Sequence, residues 1–363
     1  APSGDSRRRD IQEQLAASIY RQGELASDLG EHLAAADHFA RVVSLAPDSE
    51  VRVNAQYDAA SSYLRAGQLS LANELLLDFR NRYPGHPLAA GIAAILVENY
   101  ETAGNWGAAA EELDGMRQRD PDPDVQREAH YLAADYYRRA GNTALAIERY
   151  RDYAHTWPEP MAPRLEAMVS LADIYGEQRE VQKRYHWLKQ LAVTHEEAGS
   201  EATDRSRLLA ASSMEEIADA HYRQFLAIPL THPLERSLAQ KREAMGRAVA
   251  AYERVNGYGL QAYGTRATFH LGQVYRQFSL DLLGSERPRG LDSLALEQYE
   301  MLLEEQAWPF EEKAAAVHET NARRAWDGLF DEWIEQSFAV LAELMPARWG
   351  KRESQLAMSR EIL

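Results

Sequence analysis

The feature that most constrains the fold is a repeat of 37 residues in the first half of the chain. Two residue types recur at this interval, as Gly30, Gly67, Gly104 and Gly141 and as Pro47, Pro84, Pro121 and Pro158. Such internal periodicity is typical of repeat proteins, in which each unit buries its apolar surface against the next. The period therefore predicts a stacked array of similar units.

Each unit has the pattern of two helices joined at the glycine. After the glycine come an alanine and two larger residues on one helical face: Ala35, Phe39, Val42; Ala72, Leu76, Phe79; Ala109, Leu113, Met116; Ala146, Tyr150, Tyr153. Before it come a small residue and, except for an alanine in the first copy, a tyrosine: Gly23, Ala26; Ala60, Tyr63; Val97, Tyr100; Ala134, Tyr137. Glycine can end a helix at positive φ, and proline cannot continue one. Each unit is therefore predicted to be an antiparallel helical hairpin that needs a stacked neighbour.

This order of residues resembles the tetratricopeptide repeat, most closely in HYLAADYYRRAGNTALAIERYRDYAHTWP, residues 130–158. His130 stands where the family usually has tryptophan, and the units are longer than the family's about 34 residues. The resemblance implies an all-α fold, a right-handed superhelical solenoid of antiparallel helix pairs.

The second half of the chain repeats this pattern only loosely. LADIYGEQREVQKRYHWLKQLA, residues 171–192, lacks the turn glycine, whereas FHLGQVYRQF, residues 269–278, keeps Gly272 and Tyr275. Residues 203–256 are interpreted as a long helix pair broken by the prolines of IPLTHP, and a last pair is expected at about 309–327 and 331–345. The prolines of PEPMAP predict a bend near residues 158–163.

The glycines and prolines that interrupt helices divide the chain into four predicted segments. Residues 1–10 are expected to be a disordered lead or a cloning remnant, and residues 11–160 a regular array of four units. Residues 161–349 are expected to continue the solenoid with divergent repeats, and residues 350–363 to form a tail or a capping helix.

Composition and motifs argue against several function classes. The chain has 56 acidic and 40 basic residues, a formal charge of −16, which disfavours a nucleic-acid partner. It has no cysteine and no apolar run of the roughly 20 residues that a membrane-spanning helix needs. His32 and His38 are badly spaced for a metal on one helix, and GYGLQAYG at residues 257–264 lacks the lysine and hydroxyl residue of a phosphate loop. No cofactor, metal or catalytic residue is predicted, although a site hidden within residues 200–300 stays open as an alternative.

A candidate partner site follows from the resemblance. In the tetratricopeptide family the first helix of each unit lines a concave groove, which here implies a groove of Tyr20, Glu24, Tyr57, Ser61, Arg65, Glu98, Tyr131, Asp135, Arg138 and Arg139. Tyrosine recurs at one groove position in three of the four units, where we expect no packing demand for it. Aromatic residues among polar neighbours are suited to peptide recognition. Acidic groove residues favour a protein or peptide segment that is basic.

A second resemblance covers residues 295–349, which are similar to a C-terminal segment of large bacterial tetratricopeptide proteins that accompany TonB, ExbB and ExbD-type systems and some gliding-motility machinery. It implies a periplasmic or envelope-associated protein, with the cytoplasm as the alternative, and partners from such a complex. Arg323, Arg324, Trp326, Phe330 and Trp333 would form either a docking surface or a cap. We therefore predict a non-enzymatic scaffold for protein–protein interaction; a self-associating structural element is the rival interpretation.

Overall fold

The chain is all-α. The computed structural model describes residues 4–350, with side chains from residue 7, and these residues form sixteen α-helices and no strand. Two compact units divide the chain, Ala1–Ala167 (unit 1) and Met168–Leu363 (unit 2), with the division inside helix α9 (Met161–Glu177).

Unit 1 contains the four predicted hairpins. Their helices are α1 (Gly4–Asp28) and α2 (His32–Leu45), α3 (Arg52–Arg65) and α4 (Leu69–Arg82), α5 (Ile92–Thr102) and α6 (Trp106–Arg119), and α7 (Pro123–Arg139) and α8 (Thr143–Thr156). A short 3-10 helix, Pro87–Ala89, precedes α5.

The four periodic glycines close the hairpins in the same way. Their φ angles lie between 69° and 77°, and a Cβ at any of them would meet nothing within 4 Å. The residue after each glycine donates its N–H to a carbonyl five positions earlier, as from Gln68 to Tyr63 at 2.8 Å and from Asn142 to Tyr137 at 2.9 Å. This Schellman motif satisfies carbonyls that a helix end leaves free. Backbone conformation, not crowding, therefore requires glycine at the turns.

The apolar triplets form the contacts inside and between the hairpins. Ala35, Ala72, Ala109 and Ala146 have no exposed surface, and Leu76 and Phe79 are 1% and 0% exposed. Tyr63 donates to Asp37 of the preceding hairpin at 2.8 Å, and Tyr137 donates to Asp114 at 3.1 Å. The predicted tyrosines thus tie one hairpin to the one before it.

Most helices of unit 2 are longer than those that follow α1 in unit 1. After α9 come α10 (Val181–Glu197), α11 (Asp204–Leu226), α12 (Leu234–Gly257), α13 (Gln261–Leu283), α14 (Ser293–Arg323), α15 (Glu332–Leu344) and α16 (Pro346–Trp349). Short 3-10 helices occupy Gly199–Glu201 and Arg324–Asp327. The break at IPLTHP falls between α11 and α12, as predicted.

One sequence-based expectation about helix limits is wrong. The predicted break before residue 309 does not occur, because α14 runs through Pro309 with buried Leu303 and Ala307 before it and Ala314 after it. Helix α1 begins at Gly4, within the residues predicted to form the lead. The predicted tail lies outside the described residues from residue 351 onward.

The turn between α9 and α10 keeps the Schellman geometry without glycine. Arg179 has a φ of 61°, and Glu180 donates its N–H to the carbonyl of Tyr175 at 2.8 Å. An L residue in this left-handed region carries a strain of about 1–2 kcal/mol. The turn between α9 and α10 therefore has the same conformation as the glycine turns of unit 1, but with more backbone strain.

The core of unit 2 contains polar side chains. Lys241 is 1% exposed; its ammonium lies 2.5 Å from an Asp281 oxygen, donates to the Ile228 carbonyl at 2.6 Å and lies over the Phe225 ring. Asn321, fully buried, donates to Ser337 at 2.9 Å. Burial lowers the pKa of His318 to about 4, so this side chain is neutral in the core.

Candidate functional site

The predicted groove residues lie on the first helices of the hairpins of unit 1. A hydrogen bond from Tyr20 to Asp58, 2.5 Å long, places α1 beside α3, and one from Tyr136 to Glu101 places α5 beside α7. Neighbouring first helices therefore present their side chains next to each other, as the interpretation of the repeat requires.

The three groove tyrosines are packing residues, contrary to the expectation that no packing demand places them. Their ring centroids lie 5.1 Å from Phe39 for Tyr20, 5.7 Å from Phe79 for Tyr57, and 5.4 Å from Tyr153 for Tyr131. Burial, with smaller contributions from Asp135 and Glu166, raises the pKa of Tyr131 above its ordinary value. The sequence pattern missed these contacts because it does not fix how each first helix is rotated against its second helix.

The polar groove residues divide into two groups. Glu24, Arg65 and Glu98 are exposed, and Ser61 is half-buried. The others have contacts within the protein: Arg139 pairs with Asp135 at 2.8 Å and lies over the Trp106 ring at 4.9 Å, and Arg138 also has an interaction partner. Exposed charge is therefore available to a partner mainly on α1, α3 and α5.

Unit 2 has a second candidate surface that the sequence did not indicate. Two cavities, of 320 and 260 Å³, share Lys189, Ile217 and His221 as lining residues. Together they form a groove between α10, α11 and α12, which we call the α10–α12 groove. Its further lining residues are Gln182, Tyr185, Met214, Ala220, Gln224, Arg247, Ala250, Ala251 and Arg254.

The α10–α12 groove is basic in a chain that is strongly acidic. Lys189, Arg247 and Arg254 line it, and no aspartate or glutamate is among its lining residues. Arg254 makes two bonds to Glu196, at 2.6 and 2.5 Å, and chiefly through these bonds it lowers the pKa of that carboxyl. Arg247 pairs with Glu243 at 2.6 Å, and both side chains are exposed. Lys189 is exposed and belongs to none of the ion pairs found in the described part of the chain.

His221 lines both cavities of the groove. Its Nδ1 is buried and has no hydrogen-bond partner. Burial lowers the pKa of the imidazole, and this exceeds the opposing effect of a hydrogen bond with Gln224. The ring is therefore held neutral, with one nitrogen unsatisfied.

An enzyme site within residues 200–300 is the alternative prediction. The ionisable and hydroxyl groups found together there make structural contacts. Ser206 lies 2.8 Å from His195 Nδ1, but its hydroxyl is fully buried and forms the capping box of α11 with Thr203. Asp219 accepts bonds from Tyr252 and Arg266, both at 2.8 Å. A further 570 Å³ pocket, at the start of α13, has Arg324 and Asp327 as its ionisable lining residues. In residues 4–350, no group of three His, Asp or Glu side chains is arranged to hold a metal ion.

The C-terminal aromatic residues have different environments. Trp333 packs on Phe269, with 5.5 Å between ring centroids, whereas Trp326 and Phe330 are 69% and 64% exposed. Arg324 donates to Asn321 and Thr268 at 3.2 and 3.1 Å, and Arg323 lies 3.5 Å from Glu319. The predicted set thus contributes both to the core and to the surface. Over residues 4–350 no helix has the length and apolar character needed to cross a bilayer.

These hairpins define a helical-repeat protein with a tetratricopeptide-like fold, so the fold predicted from the sequence is confirmed. A tetratricopeptide repeat family model matches residues 54–86, which contain the hairpin of α3 and α4. This is not the copy at residues 130–158 that the sequence pattern favours. No curated protein sequence matches the chain.

Several solved structures are similar to the chain at low identity. TPR-like repeats from Podosopora anserina match 53% of this chain and 99% of theirs, at 19% identity and a TM-score of 0.30. The Naa15/Naa10 structure bound to HypK-THB matches 93% of this chain and 59% of its own, at 13% identity and a TM-score of 0.43. A tetratricopeptide repeat protein from Parabacteroides merdae matches 80% and 99%, at 10% identity and a TM-score of 0.31. The assignment of the fold rests on the hairpin geometry described above.

Proposed function

We propose that this protein is a non-enzymatic scaffold that binds a segment of a partner protein on the first helices of unit 1. The observation that carries the proposal is the fixed position of Tyr20, Tyr57 and Tyr131, whose half-buried rings are held by packing. The first helices also carry the exposed charges of Glu24, Arg65 and Glu98. Aromatic rings that are already immobilised lose little entropy when a ligand contacts them.

The charges on these helices favour a basic partner segment. The acidic side chains of the groove residues and their neighbours outnumber the basic ones: Glu24, Asp58, Glu98, Glu101 and Asp135 against Arg65, Arg138 and Arg139. Acidic residues near an apolar contact surface attract lysine and arginine and fix the register of a peptide more than they raise its affinity.

The test uses charge reversal at exposed positions, which leaves the packed rings in place. The triple variant Glu24→Lys, Arg65→Glu and Glu98→Lys is probed against a defined array of synthetic peptides that vary in charge and aromatic content. The matched control, Glu74→Lys, Glu111→Lys and Arg151→Glu, changes the same charges on exposed positions of the second helices.

We expect the wild type to bind a subset of basic, aromatic-containing peptides. The first variant should lose about tenfold or more in affinity and the control should not. Circular dichroism should show both variants melting as the wild type does. Equal loss in the two variants, or no saturable binding by the wild type, would reject the proposal.

We also propose an envelope setting, with partners in a TonB, ExbB and ExbD-type complex. Its support is the resemblance of residues 295–349, where Trp326 and Phe330 are exposed. Fractionation of the native cells tests it: recovery of the protein with the cytoplasm alone would contradict the proposal.

A further inference from the structure

The α10–α12 groove combines two features that a merely solvated surface does not need. Its floor is apolar, with Met214 4% exposed and Ala251 5% exposed beside half-buried Ile217. Its rim has three cations, Lys189, Arg247 and Arg254. An apolar floor with a few directed polar groups is the usual composition of a binding site.

The charges of the groove select one kind of occupant. The chain as a whole has a formal charge of −16, yet no carboxylate lines either cavity. Lys189 belongs to no ion pair in residues 4–350, and the exposed pair of Arg247 with Glu243 is of a type worth less than about 1 kcal/mol, so exchange for a ligand carboxylate costs little. Arg254 makes two bonds to Glu196, which largely neutralise its charge, so the rim cations open to a ligand are Lys189 and Arg247.

We propose that the α10–α12 groove is a second docking site, which binds an acidic, partly apolar peptide segment of a partner protein. Carboxylates of the segment pair with Lys189 and Arg247, and its apolar side chains contact Ile217, Met214 and Ala251. This inference goes beyond the function proposed above, because the site lies on unit 2 and its ligand has the opposite charge.

The probe is a fluorescein-labelled synthetic peptide of alternating glutamate and leucine, and binding to the full chain is followed by fluorescence anisotropy. The same peptide with lysine for glutamate tests charge selection. The test variant is Lys189→Glu with Arg247→Glu, which reverses two exposed rim cations. The matched control is Lys183→Glu with Arg242→Glu, which reverses two exposed cations on α10 and α12 that do not line the groove.

We expect the glutamate peptide to bind and the lysine peptide to bind far more weakly. The test variant should weaken binding by about tenfold or more, and the control should leave it within about twofold. Salt should weaken binding too, because going from about 0.1 M to about 1 M shortens the Debye length from about 10 Å to about 3 Å. Circular dichroism of both variants verifies that they fold.

Three results would overturn the inference: equal binding of the two peptides, equal loss in the test and control variants, or a wild-type dimer that only the test variant dissociates. The last result would make a second copy of the chain the occupant. The triple variant of unit 1 separates this inference from the proposed function, because it should lose the basic peptides and keep the glutamate peptide.

Discussion

Units 1 and 2 are built from the same kind of helix pair, but they stabilise it by different means. In unit 1 four hairpins share one turn conformation, and alanines with large apolar residues fill equivalent positions. In unit 2 the helices α11 to α14 have 23, 24, 23 and 31 residues, and the core includes Lys241, His318 and Asn321. Unit 1 also contains buried polar contacts, such as Asn99 with Asn73 at 2.6 Å, and unit 2 differs in burying the ammonium of Lys241 almost completely.

The largest expected effect concerns the buried cation of unit 2. Replacing Lys241 by alanine removes the ammonium that pairs with Asp281 and lies over Phe225, and we expect it to lower the free energy of unfolding by about 3 kcal/mol. Urea denaturation measures this, with exposed Lys183→Ala as the control, which should stay within about 0.5 kcal/mol. If the two variants are equally stable, the buried ion pair does not distinguish the two units.

An intermediate effect is expected at two glycines, one in each unit, that lie close to a bulky side chain. A Cβ on Gly272 would lie 2.5 Å from Nε2 of fully buried His318, and a Cβ on Gly23 would lie 2.6 Å from the Phe39 ring. Overpacking of this kind costs about 1–3 kcal/mol. We expect Gly272→Ala to cost more than Gly23→Ala in thermal denaturation, because His318 is also bonded to Ser337. The reverse order would show that the polar core of unit 2 yields more easily than the apolar one.

The smallest effect tests the shared turn. Arg179→Gly relieves the left-handed strain in the first turn after the regular array and should stabilise the protein by about 0.5–1 kcal/mol. Gly104→Ala introduces the same strain in unit 1 and should destabilise it by about 1 kcal/mol. Changes of the same sign in both variants would mean that the two turns are not equivalent.

The sequence predicted the fold of unit 1 well, because a fixed period marks both helices and both breakers of each hairpin. It placed the predicted groove residues on the first helix of each hairpin, and the groove itself stays a prediction. It missed the packing contacts of Tyr20, Tyr57 and Tyr131, since ring contacts depend on helix rotation. It also predicted that a helix begins near Pro309. Instead α14 continues through this proline, because residues on both sides of it are buried.

The α10–α12 groove could not be predicted from the sequence alone. Lys189, His221 and Arg247 belong to three helices, and only their packing brings them to one cavity. A partial signal exists on α12, where Arg247 and Arg254 lie seven residues apart with Ala250 and Ala251 between them, on one helical face. That pattern is equally typical of a solvated helix surface.

The hairpins of unit 1 contact mainly their neighbours along the chain, from α1 with α2 through to α7 with α8. As a mechanical element, such an array is a row of nearly identical links in series. Tension applied to its ends would open one link at a time, and each 37-residue link would release about 120–130 Å of extended chain. A scaffold with this construction can lengthen in equal steps under load while its remaining links keep their shape.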